Sequence, residues 1–564
     1  MQDGLRRGPY PVYRDLLQRR RLTRSSGRLL LSLAASVLTS NAWTGSAACS
    51  GCHPGIYKSY MRTPMAVTSG LVGSGEFQES FGRNAFSHAG SQMQYRVYRE
   101  STRTSFECRS ADGKISAGQR IDYFVGSGRV GRSYLFSIDN FLYQAPVSYY
   151  AASSRWDLSP GYERYDYLYF ARPVEPACLR CHASRVLPLA GTQNGFESVP
   201  FLEAGIGCEM CHGEGDEHVR QNGRQAKTHA IVNPARLTSE QRDSICAQCH
   251  LSGVARVEKS GRDLGSFRPG DRLSDYLSVF VRTDVPEDMK VTSHVEKLAV
   301  SRCKLASGER MSCSSCHDAH QVPADGDKIS YFRKKCLECH AARPCTERPA
   351  VRLAADNNCI GCHMPRNTVV DVQHAAYTDH SIPRRPGGAS KAASRDCRIE
   401  PFSGTRATER DLALSYAQVA IEKNNQVCGS WAFELLRKLE PLNPRDPAIL
   451  LQLAYLYDLR SNEAEAMALY ERALEADPSQ VTAAINLGAA LSQRGRADRA
   501  MQLWKDALTR SPGAETASLN LALAQYRTGD IQSAAATITR ALRLSPGSDK
   551  LRKLLSQLHT TAPK

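Results

Sequence analysis

The stretch SCSSCHDAHQ (Ser312–Gln321) holds two cysteines with two residues between them, a histidine directly after, and a second histidine three positions further on. The first part, Cys313-x-x-Cys316-His317, occurs six more times along the 564-residue chain. The other copies are Cys49, Cys52, His53; Cys178, Cys181, His182; and Cys208, Cys211, His212. Cys246, Cys249, His250 follow, then Cys336, Cys339, His340 and Cys359, Cys362, His363. Fourteen of the 19 cysteines are used in this way, so one repeated chemical unit dominates the chain.

Two thiols at this spacing sit on one helical turn and can add across the two vinyl groups of a haem. The adjoining histidine then lies beneath the iron as its proximal ligand. Zinc ribbons and disulfide frameworks also use paired cysteines, but neither needs a histidine after every pair. The pattern therefore predicts seven covalently attached c-type haems. The fourteen cysteines attach the cofactors and His53, His182, His212, His250, His317, His340 and His363 bind the irons.

His320 is then informative. Residues three apart on a helix project to the same side, so His317 and His320 approach from one direction, whereas a second axial ligand must come from the opposite face. His320 is expected to cap the iron of a neighbouring haem, which requires close packing of the cofactors. The same reasoning covers His218, six residues after His212. Outside the motifs, His88, His218, His229, His294, His320, His374 and His380 are the candidate distal ligands, seven for seven irons. His559 lies beyond them near the C-terminus. If all seven serve, no coordination site is open and the protein only moves electrons. If one does not, small-molecule chemistry becomes available at that iron.

Covalent haem attachment takes place outside the cytoplasm, and the N-terminus reads accordingly. Eight arginines precede the apolar run Leu29–Leu38, and small residues offer cleavage after Ala42 or Ala47. Residues 1–48 are read as an export segment directing the chain to the periplasm or cell surface. The apolar run is too short to span a bilayer; membrane association is compatible with it, a spanning helix is not. The net charge of +16 falls by 6 without this segment, and two propionates per haem offset most of the remainder. No nucleic-acid partner is expected.

Residues 49–385 form the predicted heptahaem region, loop-rich and mainly helical. Alternating segments around Asp-Gly and Asp-Asn turns predict a small antiparallel β insert over about 90–150. Gly126, Gly128 and Gly131 match a dinucleotide-binding spacing, but the following residues alternate as a strand, so a glycine-rich turn is the better reading. Residues 386–410 read as a linker. Beyond it Pro444, Pro478, Pro512 and Pro546 recur every 34 residues. Leu487, Gly488, Ala500, Trp504 and Ala507 stand before Pro512 at the offsets of the tetratricopeptide pattern. Four such repeats and a capping helix over 411–564 predict an all-helical solenoid able to dock a redox protein partner. Of the five cysteines outside the motifs, Cys303 and Cys345 are the preferred disulfide pair.

With these motifs in place, residues 49–385 resemble the periplasmic multihaem cytochromes of the cytochrome c-552/4 type. The matching stretches include CSGCHPGIYKSYMRTPMA, GSGRVGRSYLF, APVSYY, CHGEGDEH, CIGCHMP and HAAYTDHSIPR. The family is related to multihaem nitrite and hydroxylamine enzymes, but this chain has no C-x-x-C-K motif and seven haem motifs rather than eight. The haem motifs are specific for cofactor and compartment and say little about substrate; electron transfer is the expected role, and no catalytic residue is assigned. Two alternatives stand beside it: an oxidoreductase of small nitrogen or sulfur compounds at one open haem, and a scaffold in a respiratory complex.

Overall fold

A computed structural model describes residues 43–75, 79–221, 231–283, 288–342, 345–385, 396–402 and 406–561. Nearly all of the export segment and His229 lie outside these residues. Among the described residues, no helix is long and apolar enough to cross a membrane.

The β region is larger than the sequence suggests. A four-stranded antiparallel sheet runs through Ala85–His88, Met93–Glu100, Arg103–Ser110 and Ser116–Ile121. A five-stranded sheet orders Ser69–Leu71, Tyr123–Val125, Gly131–Ile138, Phe141–Tyr150 and Arg155–Leu158. Inward positions alternate along Met93–Glu100, as a strand with one buried face requires. Val97, Phe106, Tyr134, Phe136 and Phe170 form the core beneath the two sheets. Asp139 and Asn140 both take positive φ, 52° and 67°, at the turn joining Gly131–Ile138 to Phe141–Tyr150. Two left-handed residues match the twist of a tight hairpin, and Asp and Asn tolerate them. Gly126 and Gly128 also have positive φ, and a strand follows them directly, as expected of a glycine-rich turn.

Elsewhere the region mixes short helices with small sheets rather than being mainly helical. Each haem motif needs only one helical turn, and the chain between motifs returns in hairpins such as Ala183–Pro188 with Phe196–Ala204. The longer helices are Ser239–His250 and Lys328–His340. The first is capped reciprocally by Thr238 and Gln241.

The C-terminal part is all helix. Nine helices run from Glu409–Lys423 to Asp549–Thr561 in antiparallel pairs. Close approach within the pairs comes from small residues. Ala454, Ala466 and Ala500 are fully covered. A Cβ on Gly488 would sit 2.6 Å from Trp504 Nε1, an indole held by its hydrogen bond to the Ile485 carbonyl at 3.1 Å.

Two findings differ from expectation. Residues Ile399–Pro401, within the stretch read as linker, pair with Phe280–Arg282 as a strand. The disulfide joins Cys397 to Cys428, Cα atoms 5.3 Å apart, while Cys303 and Cys345 are free thiols. The strand carries Cys397 onto the buried face of helix Gln426–Leu439, where Cys428 waits; nothing brings Cys303 and Cys345 together.

Candidate cofactor site

Six motifs converge on one cavity of about 3530 Å³. A drug-sized ligand needs only about 300–1,000 Å³, so the space suits several large planar groups. Each motif sits on a helical turn or helix end. The backbone N–H of His53, His212 and His317 donates to the carbonyl four residues back, at 2.9, 3.0 and 3.0 Å, to Cys49, Cys208 and Cys313. The turn therefore presents both thiols and the imidazole together.

The surrounding chain lacks a core of its own. Helices Lys328–His340, Pro349–Ala354 and Cys359–His363 contain no buried residue, and Leu305, Leu337 and Leu353 are exposed. Helices normally bury an apolar stripe against something; macrocycles in the cavity would provide that surface. Arg242 lines the cavity, and its Nε is buried without a hydrogen-bond partner, which suits an anionic group such as a haem propionate. This donor was not singled out from the sequence, because its position depends on the fold.

The histidines fit iron. Nδ1 of His212, His363 and His380 donates to the carbonyls of Val232, Pro383 and Thr378, at 2.9, 3.2 and 3.0 Å. A carbonyl can only accept, so in each ring Nε2 keeps the free lone pair, the arrangement a metal ligand needs. Burial lowers the pKa of His212, His250, His317 and His380. For His294, burial and then the neighbouring His250, His380 and His317 push it down to about 3. All five imidazoles are neutral at pH 7.

Their rings face one another across gaps. His53 and His218 lie 6.5 Å apart between ring centres with planes inclined by 14°. His212 and His320 are 5.9 Å apart at 8°, and His317 and His380 are 6.2 Å apart at 29°. A metal held between two imidazole nitrogens at about 2.0 Å each would separate the ring centres by about 6 Å. His294 contacts His250 more closely, 4.9 Å at 82°. His320 thus faces His212, on a different motif from its neighbour His317.

Other candidates are placed elsewhere. His88 lies on a strand of the four-stranded sheet with Nδ1 2.9 Å from Ser91 Oγ. His374 Nε2 lies 2.9 Å from Asp157 Oδ2, its ring 4.8 Å from that of Tyr150. Neither lines the cavity. His182 also lies off it, with Nδ1 3.0 Å from Thr68 Oγ1. Thiols of different motifs meet in hydrogen-bonding contact: Cys49 with Cys208, Cys181 with Cys249, Cys246 with Cys313, and Cys336 with Cys359. No local pattern announces these neighbours.

The family described as "Cytochrome c554 and c-prime" matches residues 166–213, which hold the second and third motifs. Tetratricopeptide-repeat families match residues 447–480 and 485–549. The chain carries a cytochrome c554 domain and ends in tetratricopeptide repeats. This cytochrome is 25% identical over 184 residues to "Multiheme cytochrome MtrA" of Shewanella baltica, covering 30% of the chain and 53% of that protein. It is 23% identical over 181 residues to "High-molecular-weight cytochrome c" of Nitratidesulfovibrio vulgaris, covering 32% of each. The matches thus span about half of the first relative and a third of the second. A solved structure of MamA is 24% identical, covers 27% of the cytochrome and 79% of its own chain, and superposes with a TM-score of 0.24. The kinship implies covalently bound c-type haem in this cytochrome.

Proposed function

We propose that the protein is an electron-transfer cytochrome of the periplasm or cell surface. It holds seven covalently attached haems within residues 49–385, joined through 386–410 to a repeat domain, 411–564, that docks a redox protein partner. The observation that carries this reading is the set of facing imidazole pairs, His53 with His218, His212 with His320 and His317 with His380, at iron-spanning distance in one cavity lined by motif cysteines. Haem, when bound, supplies one-electron chemistry.

The chain's own residues supply the rest. Backbone carbonyls hold the Nδ1 protons of His212 and His380 and aim Nε2 inward. Burial keeps these imidazoles neutral, the form that binds metal. The thiol contacts run from the first motif to the third, from the fourth to the second and fifth, and between the sixth and seventh. Haems attached at points this close would lie near one another, as rapid electron passage requires.

The test is to express the full chain with its export segment in a host that attaches c-type haem, then measure haem, iron and zinc per mature chain. Seven haems and seven irons are expected, with reversible reduction and one haem fewer for each Cys-pair→Ala variant. A mature chain without bound haem, or with its cysteine pairs holding zinc, overturns the proposal. Oxidoreductase chemistry on small nitrogen or sulfur compounds at one open haem is the second reading, favoured by His340 and His363: the described imidazoles that stand at iron-spanning distance pair with His53, His212 and His317 instead.

A further inference from the structure

We propose that the export segment is removed at the Ala42–Trp43 bond, and that the new N-terminus, Trp43-Thr44-Gly45-Ser46, is kept as a strap seated on the third haem motif. This rests on the export reading above. Small residues precede the bonds after both Ala42 and Ala47, so the sequence allows either cut. What the five residues between them do in the fold separates the two. Glu209 stands between Cys208 and Cys211 of the third motif and is 3% exposed. One of its carboxylate oxygens accepts from the Thr44 N–H at 3.1 Å and the Gly215 N–H at 2.7 Å, and the other from the Gly45 N–H at 2.8 Å. Ser46, itself buried, donates its N–H to Glu203 Oε1 at 3.0 Å and accepts from the Cys208 N–H on Oγ at 2.8 Å. Gly45 has φ of 77°, a conformation that L side chains rarely adopt. Trp43 is half-buried, with its indole nitrogen covered.

A cut after Ala47 would discard every one of these partners except Gly215. Glu209 would keep its buried position and lose the amides of Thr44 and Gly45, and the Cys208 N–H would lose its acceptor. Buried carboxylates and amides left without partners are costly. A cut before Trp43 keeps all of them. Water adds to the Ala42 carbonyl and the C–N bond to Trp43 breaks. Ala42 departs as a carboxylate, and both hydrogens of the water end on the Trp43 nitrogen, which becomes an ammonium. That charge arises one residue from the Thr44 nitrogen that Glu209 already holds, and a cation beside a buried carboxylate offsets its loss of solvent. The strap also runs directly into the first motif, whose Cys49 thiol meets that of Cys208. It thereby holds the first motif against the third.

The experiment expresses the full chain with its export segment in a host that attaches c-type haem, and reads the purified holoprotein by N-terminal sequencing and intact mass. Trp43 is expected as the first residue. A haem-loaded chain beginning at Ala48, or at any other position, would overturn the inference while leaving the export reading intact. A chain that keeps residues 1–42 and carries no haem would overturn both. Aminopeptidase digestion then tests the seat. Release of Trp43 from the folded holoprotein should be about tenfold slower or more than from a synthetic peptide of residues 43–48, because the strap must open before it is cut. Glu209→Gln, with one acceptor oxygen in place of two, should remove most of that protection and leave Trp43 as the first residue. Release as fast as from the peptide, or protection undiminished in the variant, would show that the strap is not seated on Glu209. If the variant fails to fold, the digestion of the unaltered protein still decides.

Discussion

At the scale of single residues, three positions of chain separate two histidines that serve different partners. The helical turn ends at Ser315, so His317 and His320 are not carried on one helix face as the spacing predicts; His320 still meets His212, on another motif, while His317 meets His380. His320→Ala is expected to convert one low-spin iron, and that iron belongs to Cys208 and Cys211. In a background where both of those cysteines are alanine, the same substitution should leave the spectrum unchanged; a change there would show that His320 caps another haem. A second residue-scale expectation concerns Gly488, where a Cβ would meet Trp504 Nε1 at 2.6 Å. The indole is fixed by the Ile485 carbonyl and cannot swing aside, so Gly488→Ala should cost about 1–3 kcal/mol by overpacking. Thermal unfolding of the full chain would read it as a lower Tm.

At the scale of elements, the solenoid is fastened to the sheet that precedes it. Asp411, in the first turn of helix Glu409–Lys423, accepts from Lys259 Nζ at 2.8 Å and Ser278 Oγ at 2.9 Å. Burial alone would raise this carboxyl, but the hydrogen bonds from Lys259, Thr408 and Ser278 outweigh it and hold the pKa below its ordinary value. A depressed carboxyl contributes stability above the unfolded pKa of about 3.9, lost as pH falls through the folded value. Asp411→Asn should therefore lower stability at pH 7 by about 3 kcal/mol, with the gap to the unaltered protein closing below about pH 4; denaturant titrations at both pH values would measure this. The disulfide closes a loop with a sequence separation of 31. Cys428→Ser is expected to cost about 3–4 kcal/mol on the chain-entropy estimate, read as a lower denaturant midpoint. The repeat pairs were legible from Pro and small-residue spacing, because a solenoid reuses one local packing rule. The extra strands were not, since Ile399–Pro401 takes its conformation from a partner more than a hundred residues away.

At the scale of the whole molecule, the repeats are joined to the cytochrome region at both ends. The first helix meets strand Ala255–Glu258 through Gln418 and the Arg256 backbone, at 3.2 and 3.0 Å. The far end meets the β core, where Phe170 N–H donates to the Leu544 carbonyl at 2.7 Å and Gly547 N–H to that of Leu168 at 3.0 Å. A Cβ on Gly547 would sit 2.4 Å from the Leu168 nitrogen. Gly547→Val should release this end alone. Amides of Phe170 and Gly547 should lose hydrogen-exchange protection while the haem spectrum stays as it was; unchanged protection would mean the contact is not a fastening. Between the ends, Ser511 Oγ donates to Gln193 Oε1 at 2.8 Å and Tyr167 to Glu515 at 3.3 Å, so the attachment suits a braced platform more than a swinging arm.

The sequence by itself determined the kind of cofactor and the repeat architecture, because thioether attachment needs five adjacent residues and helix-pair packing repeats every 34. Only the tertiary structure decided which histidine faces which motif, that His88 and His374 are held elsewhere, and that Cys397 meets Cys428. A second axial ligand must come from the far side of a macrocycle, and a disulfide needs two Cβ atoms brought together. Both are distances across the fold, which spacing along the chain does not encode.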